Sequence, residues 1–175
     1  MVLIKAMDIN EAERLSEIDR SEYIRKIYRI QAGGIQEVEA GHECGNWDES
    51  MLEHIKGRFQ FELAQGGKAF GAYDGERLVG FGVLAHRFRG RNRDRLQVDL
   101  MYVTRSYRRQ GIGSRLMAEL KKEAVQRGAR YLYISSTETE SAVSFYRYSG
   151  SELAEEIDKE LLALEPEDIH MLIKL

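Results

Sequence analysis

Cysteine is almost missing from this chain: Cys44 stands alone among 175 residues. One cysteine excludes an intrachain disulfide and any multi-cysteine zinc or iron–sulfur site. Proline is as scarce, with a single residue, and no Pro-, Gly- or Ser-rich tract marks a linker. Without a linker, residues 1–175 read as one domain with a sizeable core, since single domains cluster at about 100–200 residues. No stretch approaches the roughly 18 apolar residues of a membrane span. The first residues, MVLIKAMD, lack the apolar run and cleavage site of a signal peptide. The expected setting is therefore cytoplasmic, with no membrane partner. A basic excess is absent too: the net charge is −3, which argues against a nucleic-acid partner.

What is present alternates between strand and helix patterns. VLIKAM (2–7) reads as a strand, and Asp8 or Asn10 can cap a helix running to about Arg20. YIRKIYRI and IQEVEA flank Ala32-Gly33-Gly34 and suggest a hairpin, although the first segment also fits a helix. GHECGNWD (41–48) reads as a loop. A helix is expected from Ser50 to Gln65, with Met51, Leu52, Ile55, Phe59 and Leu63 on one face. KAFGAYDGERLVGFGVLAHRF is a hairpin turning at Asp74-Gly75, and RLQVDLMYV (95–103) is a strand. Ile112, Leu116, Leu120 and Ala124 make a helical stripe that Gly128 ends. YLYIS, the short helix SAVSFYRYSG and a last strand, DIHMLIKL, complete the chain. The pattern predicts a mixed sheet with helices, of α/β or α+β type.

Chemistry concentrates in SYRRQGIGSRL (106–116), where arginines and glycines meet the start of a helix. A helix N-terminus offers free N–H groups and the positive end of the macrodipole, which suits a phosphate. Glycines at 111 and 113 let a ligand approach the backbone. A nucleoside-triphosphate loop would need GxxxxGK followed by Ser or Thr, which is missing. A dinucleotide fold would need a third glycine where Leu116 stands, and an acidic residue at the end of the next strand, where YLYISS has serines.

Arg108-x-x-Gly111-x-Gly113, after a strand ending at Val103, instead resembles the pyrophosphate motif of the GNAT family of N-acetyltransferases. SAVSFYRYSG resembles that family's second signature, a Phe-Tyr pair on a short helix before glycine. The two lie in the family's order over about residues 67–150. The closing ALEPEDIHMLIKL also resembles the tail of a bacterial branch whose acceptor is unknown. The resemblance implies a mostly antiparallel sheet, splayed at the acyl-CoA site and flanked by helices. It also implies acetyl-CoA as cosubstrate with no metal. Met101 and Val103 would pair with pantetheine, and the amides of Arg109, Gln110, Gly111, Ile112, Gly113 and Ser114 would cradle the pyrophosphate, with Arg108 in the motif's Arg/Gln slot. The family's cofactor-binding asparagine falls here on Thr139 or Ser141, depending on the alignment.

Tyr146 matches the family's general acid, and a phenol with an ordinary pKa of about 10 keeps its proton at neutral pH. Amine attack also needs a base. Asp99, four residues before Val103, is the first candidate, and His86 and Glu43 follow. Asp99 shares a face with Met101 and Val103 if alternation holds, and a bulge reverses that. The expected reaction is direct transfer to a small-molecule or peptide amine by a monomer or homodimer. A non-catalytic acyl-CoA-binding module on the same fold is the alternative. Arg87, Arg89, Arg91, Arg93 and Arg95 read as a solvated hairpin end. His42, Cys44 and His54 are too irregularly spaced for a metal site, and Trp47 reads as packing. From Glu152 to Asp168 eight acidic residues accompany one lysine, the pattern of an exposed acidic face.

Overall fold

The computed structural model covers residues 1–175. Strand β1 (Val2–Ala6) leads into a 3₁₀ helix, Ile9–Glu17. Asp8 caps that helix: its side chain accepts from the Asn10 amide, while Glu11 accepts from the Asp8 amide at 2.7 Å. The helix is 3₁₀ and not α because its buried side chains, Ala12 and Leu15, and then Ile18, recur every three residues. Strands β2 (Glu22–Gln31) and β3 (Gly34–Cys44) form the hairpin; the second strand runs through the first half of the segment expected to be loop. Helix α1 (Glu49–Ala64) starts at Asp48, whose carboxylate accepts from the Met51 amide. Its expected stripe is corrected in part: Ile55 and Phe59 are buried, but Met51 is exposed and Lys56 and Glu62 are buried instead.

Strands β4 (Lys68–Asp74) and β5 (Arg77–Arg89) are joined by Gly75-Glu76, and only Gly75 takes a positive φ. Next come β6 (Arg95–Val103), α2 (Ile112–Gln126) and β7 (Tyr131–Ser136). The chain ends with α3 (Glu140–Tyr148), β8 (Ser151–Leu153), α4 (Lys159–Leu164) and β9 (Ile169–Lys174). Seven strands make one sheet in the order β1-β4-β5-β6-β7-β9-β8, antiparallel except for β6 with β7. The hairpin β2–β3 stands apart from it. It is tied to the start of α3 by the Tyr28 amide, which donates to the Glu138 carbonyl at 2.7 Å, and by the buried Tyr28 ring.

Two apolar clusters cover the two faces. On one side Ile112, Leu116, Leu120 and Ala124 of α2, with Val143 and Tyr146 of α3, pack on Leu96, Val98, Leu132 and Ile134. On the other, Leu15 and Ile18 with Ile55 and Phe59 pack on Phe81, Val83 and Leu100. The arginine cluster and the acidic segment, read separately as solvated, meet each other. Arg87 donates to Glu160 at 2.6 Å, Arg89 to Asp158 at 3.1 Å, and Arg95 to the Glu156 carbonyl at 3.2 Å. The Arg89 side chain is only 9% exposed, so the seam between the β5–β6 end and the α4 region is buried at Arg89–Asp158 and open at Arg87–Glu160. No helix is long and apolar enough to cross a membrane.

Candidate active site

β6 and β7 start as partners and then separate. They pair only over Arg95–Gln97 and Tyr131–Tyr133. Beyond Gln97, β6 stays with β5, while β7 pairs with β9 as far as Ser136. A wedge opens between them and holds a cavity of ≈ 480 Å³, with Met101 and Val103 on one wall and Ser135 and Ser136 on the other.

The N-terminus of α2 reaches the same cavity through Arg109, Gly111, Ile112, Gly113 and Ser114. No side chain caps this helix, so its first amides are free to meet an anion. Arg109 (φ 61°) and Gly111 (φ 80°) bend the preceding turn into a concave nest. The two glycines serve different ends. A Cβ at Gly111 would meet nothing within 4 Å, so its value is its left-handed backbone. A Cβ at Gly113 would lie 2.9 Å from Phe145 Cε1, so this glycine admits the Phe145 ring of α3 against α2. Gln110 sits on the outside of the turn, its side chain donating to the Ser106 carbonyl at 3.4 Å.

Arg108 is spent on protein. Its Nε donates to the Val103 carbonyl at 2.8 Å, and its terminal nitrogens to the carbonyls of Ser21 (2.9 Å) and Asp19 (3.3 Å). Burial lowers its pKa from the usual arginine value. The guanidinium thereby clamps the end of β6 to the segment entering β2, and the positive field for an anion comes from the backbone.

Of the two hydroxyls in the asparagine slot, Thr139 caps α3 and accepts from the Ala142 amide at 3.4 Å. Ser141 donates to Glu22 at 2.7 Å, and both hydroxyl residues border the cavity. Tyr146 is 9% exposed, and its ring packs edge-on against Phe145. It lines the cavity, and burial above all pushes its phenol well above the ordinary range.

Asp99 lies on the bulge. Val83 pairs with Leu100 and Leu84 with Val98, which leaves Asp99 as the extra residue and reverses the alternation. Leu96 and Val98 face α2, as do Met101 and Val103 after the bulge, while Leu100 and Tyr102 face α1. The Asp99 carboxylate is held by Arg58 of α1 at 2.9 Å, and the same nitrogen bonds the Asp99 carbonyl at 2.9 Å. The other base candidates are engaged elsewhere: His86 Nδ1 lies 2.6 Å from Glu62, and Glu43 pairs with Arg105. His42, Cys44 and His54 form no cluster of potential metal ligands, and Trp47 packs edge-on against Tyr102 at 4.8 Å. Cys44, remote from the motifs in sequence, reaches the cavity wall with Ile24 and Glu22 of the hairpin.

Sequence reasoning missed Ser135 and Asp168. Ser135 Oγ donates to Asp168 Oδ2 at 2.8 Å. Burial pushes the Asp168 carboxyl up to about 6, Glu165 and Glu138 add to the rise, and the Ser135 hydrogen bond and Arg58 oppose it. The signal was available: Asp168 immediately precedes the last strand, β9, which returns beside β7.

An uncapped helix N-terminus, open space at Gly111 and an unpaired strand edge in one cavity fit the pyrophosphate and pantetheine of acetyl-CoA. Comparison with known proteins agrees. In fold, the chain is similar to a nourseothricin acetyltransferase, with TM-score 0.74 and 23% identity over 99% of this chain and 98% of that one. It is also similar to a protein of Bacillus anthracis str. Ames, assigned as a streptothricin acetyltransferase and solved with acetyl coenzyme A. There the TM-score is 0.74 and the identity 17%, over 100% and 99% of the two chains. The ribosomal-protein-S18-alanine N-acetyltransferase of Escherichia coli follows at TM-score 0.60 and 14% identity, over 99% and 94%. No curated protein sequence matches the chain. The sequence profile of the acetyltransferase (GNAT) family, however, matches residues 22–150, most of the chain and both motifs. The chain therefore belongs to the acetyltransferase (GNAT) family, whose members move an acetyl group from acetyl-CoA to an amine.

Proposed function

We propose that this chain acetylates a small-molecule or peptide amine by direct transfer within the β6–β7 wedge, with Tyr146 as general acid. The observation that carries the reading is the meeting of three features in one cavity: the α2 amides, the unpaired edge of β6 and Tyr146. Acetyl-CoA supplies the acyl group activated as a thioester. Amides from Arg109 to Ser114 hold its diphosphate, and Met101 and Val103 offer backbone partners to the arm. Ser141 takes the asparagine slot, since Thr139 is committed to the α3 cap. Tyr146, protonated across the physiological range, delivers a proton to the departing sulfur.

The acceptor enters from the side walled by Arg20, Glu22, Ile24 and Tyr102. The neighbours named for nourseothricin and for ribosomal protein S18 alanine span both acceptor classes. A nucleic-acid partner is disfavoured because three arginines of the cluster, Arg87, Arg89 and Arg95, are already paired with Glu160, Asp158 and Glu156. A cytoplasmic setting suits the reading, since acetyl-CoA is made and spent inside cells.

The binding half is tested by thermal unfolding. Acetyl-CoA should raise the melting temperature by mass action, by about 2.7 kcal/mol of stability at 100 times its Kd. Pantetheine alone should do far less, because it leaves the α2 amides empty. Equal stabilisation by ATP with none by coenzyme A would reject the cradle.

A further inference from the structure

An amine acceptor arrives as an ammonium at neutral pH, since an alkylamine has a pKa of about 10. Something must take its proton before nitrogen can attack. Most carboxylates near the wedge are committed: Asp99 to Arg58, Glu43 to Arg105, and Glu22 to Ser141 with Arg108 at 3.8 Å. Asp168 has one neutral partner, the Ser135 hydroxyl.

Topology puts that pair where an acceptor would arrive. Ser135 stands on the β7 arm two residues past its last pairing with β6, and it lines the cavity. Leu132 and Ile134 point to the α2 side of the sheet, so Ser135 points to the α1 side, the side that Tyr102 faces. Ser135 pairs with His170 of β9, which makes Asp168, two residues before His170, its diagonal neighbour on the same face. The cosubstrate and the Ser135–Asp168 pair thus approach the wedge from opposite faces.

We propose that Ser135 and Asp168 form the proton relay that deprotonates the acceptor ammonium, with Asp168 as the proton's destination. The inference rests on the acetyltransferase reading. In the step, an ammonium N–H bond breaks and its electron pair stays on nitrogen as the attacking lone pair. The proton passes to Ser135 Oγ as the serine gives its own to Asp168 Oδ2, and the neutral carboxyl later returns it to solvent. Asp168 acts through Ser135 and is a positioning residue.

The groups around Asp168 suit the task. Arg58 of α1 favours its charged form; Glu138, between β7 and α3, and Glu165, after α4, disfavour it, and burial disfavours it most. The phenols of Tyr102 and Tyr146 lie near enough for Asp168 to raise both, and neither is ionised at neutral pH. A carboxyl pushed up to about 6 is ionised at neutral pH yet holds a proton better than an exposed aspartate near 4.

Asp168→Asn tests the relay, because Asn keeps an acceptor for Ser135 and removes the charge. The first readout needs no cosubstrate. A carboxyl raised in the folded state makes wild type lose stability as pH climbs from about 4 to about 6. Asp168→Asn should therefore melt above wild type at about pH 7.5 and level with it at about pH 4. The second is kcat/KM against pH, with acetyl-CoA and the best acceptor from a set of amino acids, polyamines and peptides. Wild type should show a limb near pH 6, and the variant should lose that limb and fall about 10²–10⁴-fold at its plateau. The Kd for acetyl-CoA should stay within about two-fold. Retained rate and limb in Asp168→Asn, or an equal drop in melting temperature at both pH values, would overturn the relay. If that variant fails to fold, Ser135→Ala is read the same way: loss of the limb supports the relay and its retention overturns it. If wild type acetylates none of the amines, the acetyltransferase reading fails first and takes the relay with it.

Discussion

Tyr146→Phe lowers kcat for acetyl transfer by about 10²–10⁴-fold and leaves acetyl-CoA affinity within about a factor of two. The ring packs in the cluster between α2 and α3, and Phe reproduces that packing. Only the hydroxyl is lost, so the melting temperature should hardly move. Because burial pushes this phenol well above 10, wild type should show no falling limb from Tyr146 below about pH 10. Near-full turnover in Tyr146→Phe would move the acid elsewhere. Tyr148 could not replace it, being 85% exposed; of the other phenols on the cavity wall, Tyr107 is held by Asp74, which leaves Tyr102. Loss of acetyl-CoA binding together with turnover would make Tyr146 structural.

Gly113→Val has the second large effect, through α3. Its Cβ would press on the Phe145 ring at 2.9 Å, and Phe145 precedes Tyr146. Overpacking of this kind costs about 1–3 kcal/mol, and displacing α3 should also misplace the acid, so stability and kcat fall together. Gly113→Ala combined with Phe145→Leu should recover much of the stability, which urea unfolding would report. Gly111→Ala behaves differently. It meets no atom but must hold a left-handed backbone, at about 1–2 kcal/mol, and no change at Phe145 should rescue it. A Phe145 substitution that rescued both glycines alike would contradict the separate reasons assigned to them.

How much of this was legible depended on distance along the chain. The β4–β5 hairpin, the limits of β6 and the α2 stripe follow from local period and one glycine turn, and the structure has them where expected. The glycine turn at the head of α2 was legible for the same reason, as it lies within six consecutive residues. The bulge was not. RLQVDLMYV places Leu96, Val98, Leu100 and Tyr102 at one alternation, and only pairing with β5 shows that the face changes at Asp99. Arg108 looked like a free cation because the carbonyls that hold it, at Asp19 and Ser21, are some 87 residues away in sequence. Asp168 looked like one more member of an acidic run, since its partner Ser135 is 33 residues distant. Strand β8 and helix α4, of three and six residues, are too short to show any period.

The central claim is that the acyl group passes straight from sulfur to amine inside the wedge. Cys44 on the cavity wall gives that claim a physical rival, a thiol able to hold the acyl group in transit. A single-turnover quench with acetyl-CoA, with and without the acceptor amine, followed by intact-protein mass spectrometry decides between them. Direct transfer predicts that free coenzyme A and N-acetylated amine appear together in equal amounts, only when the amine is present, on an unmodified protein. Release of coenzyme A without amine, leaving an acetyl group on the Cys44 peptide, would contradict it.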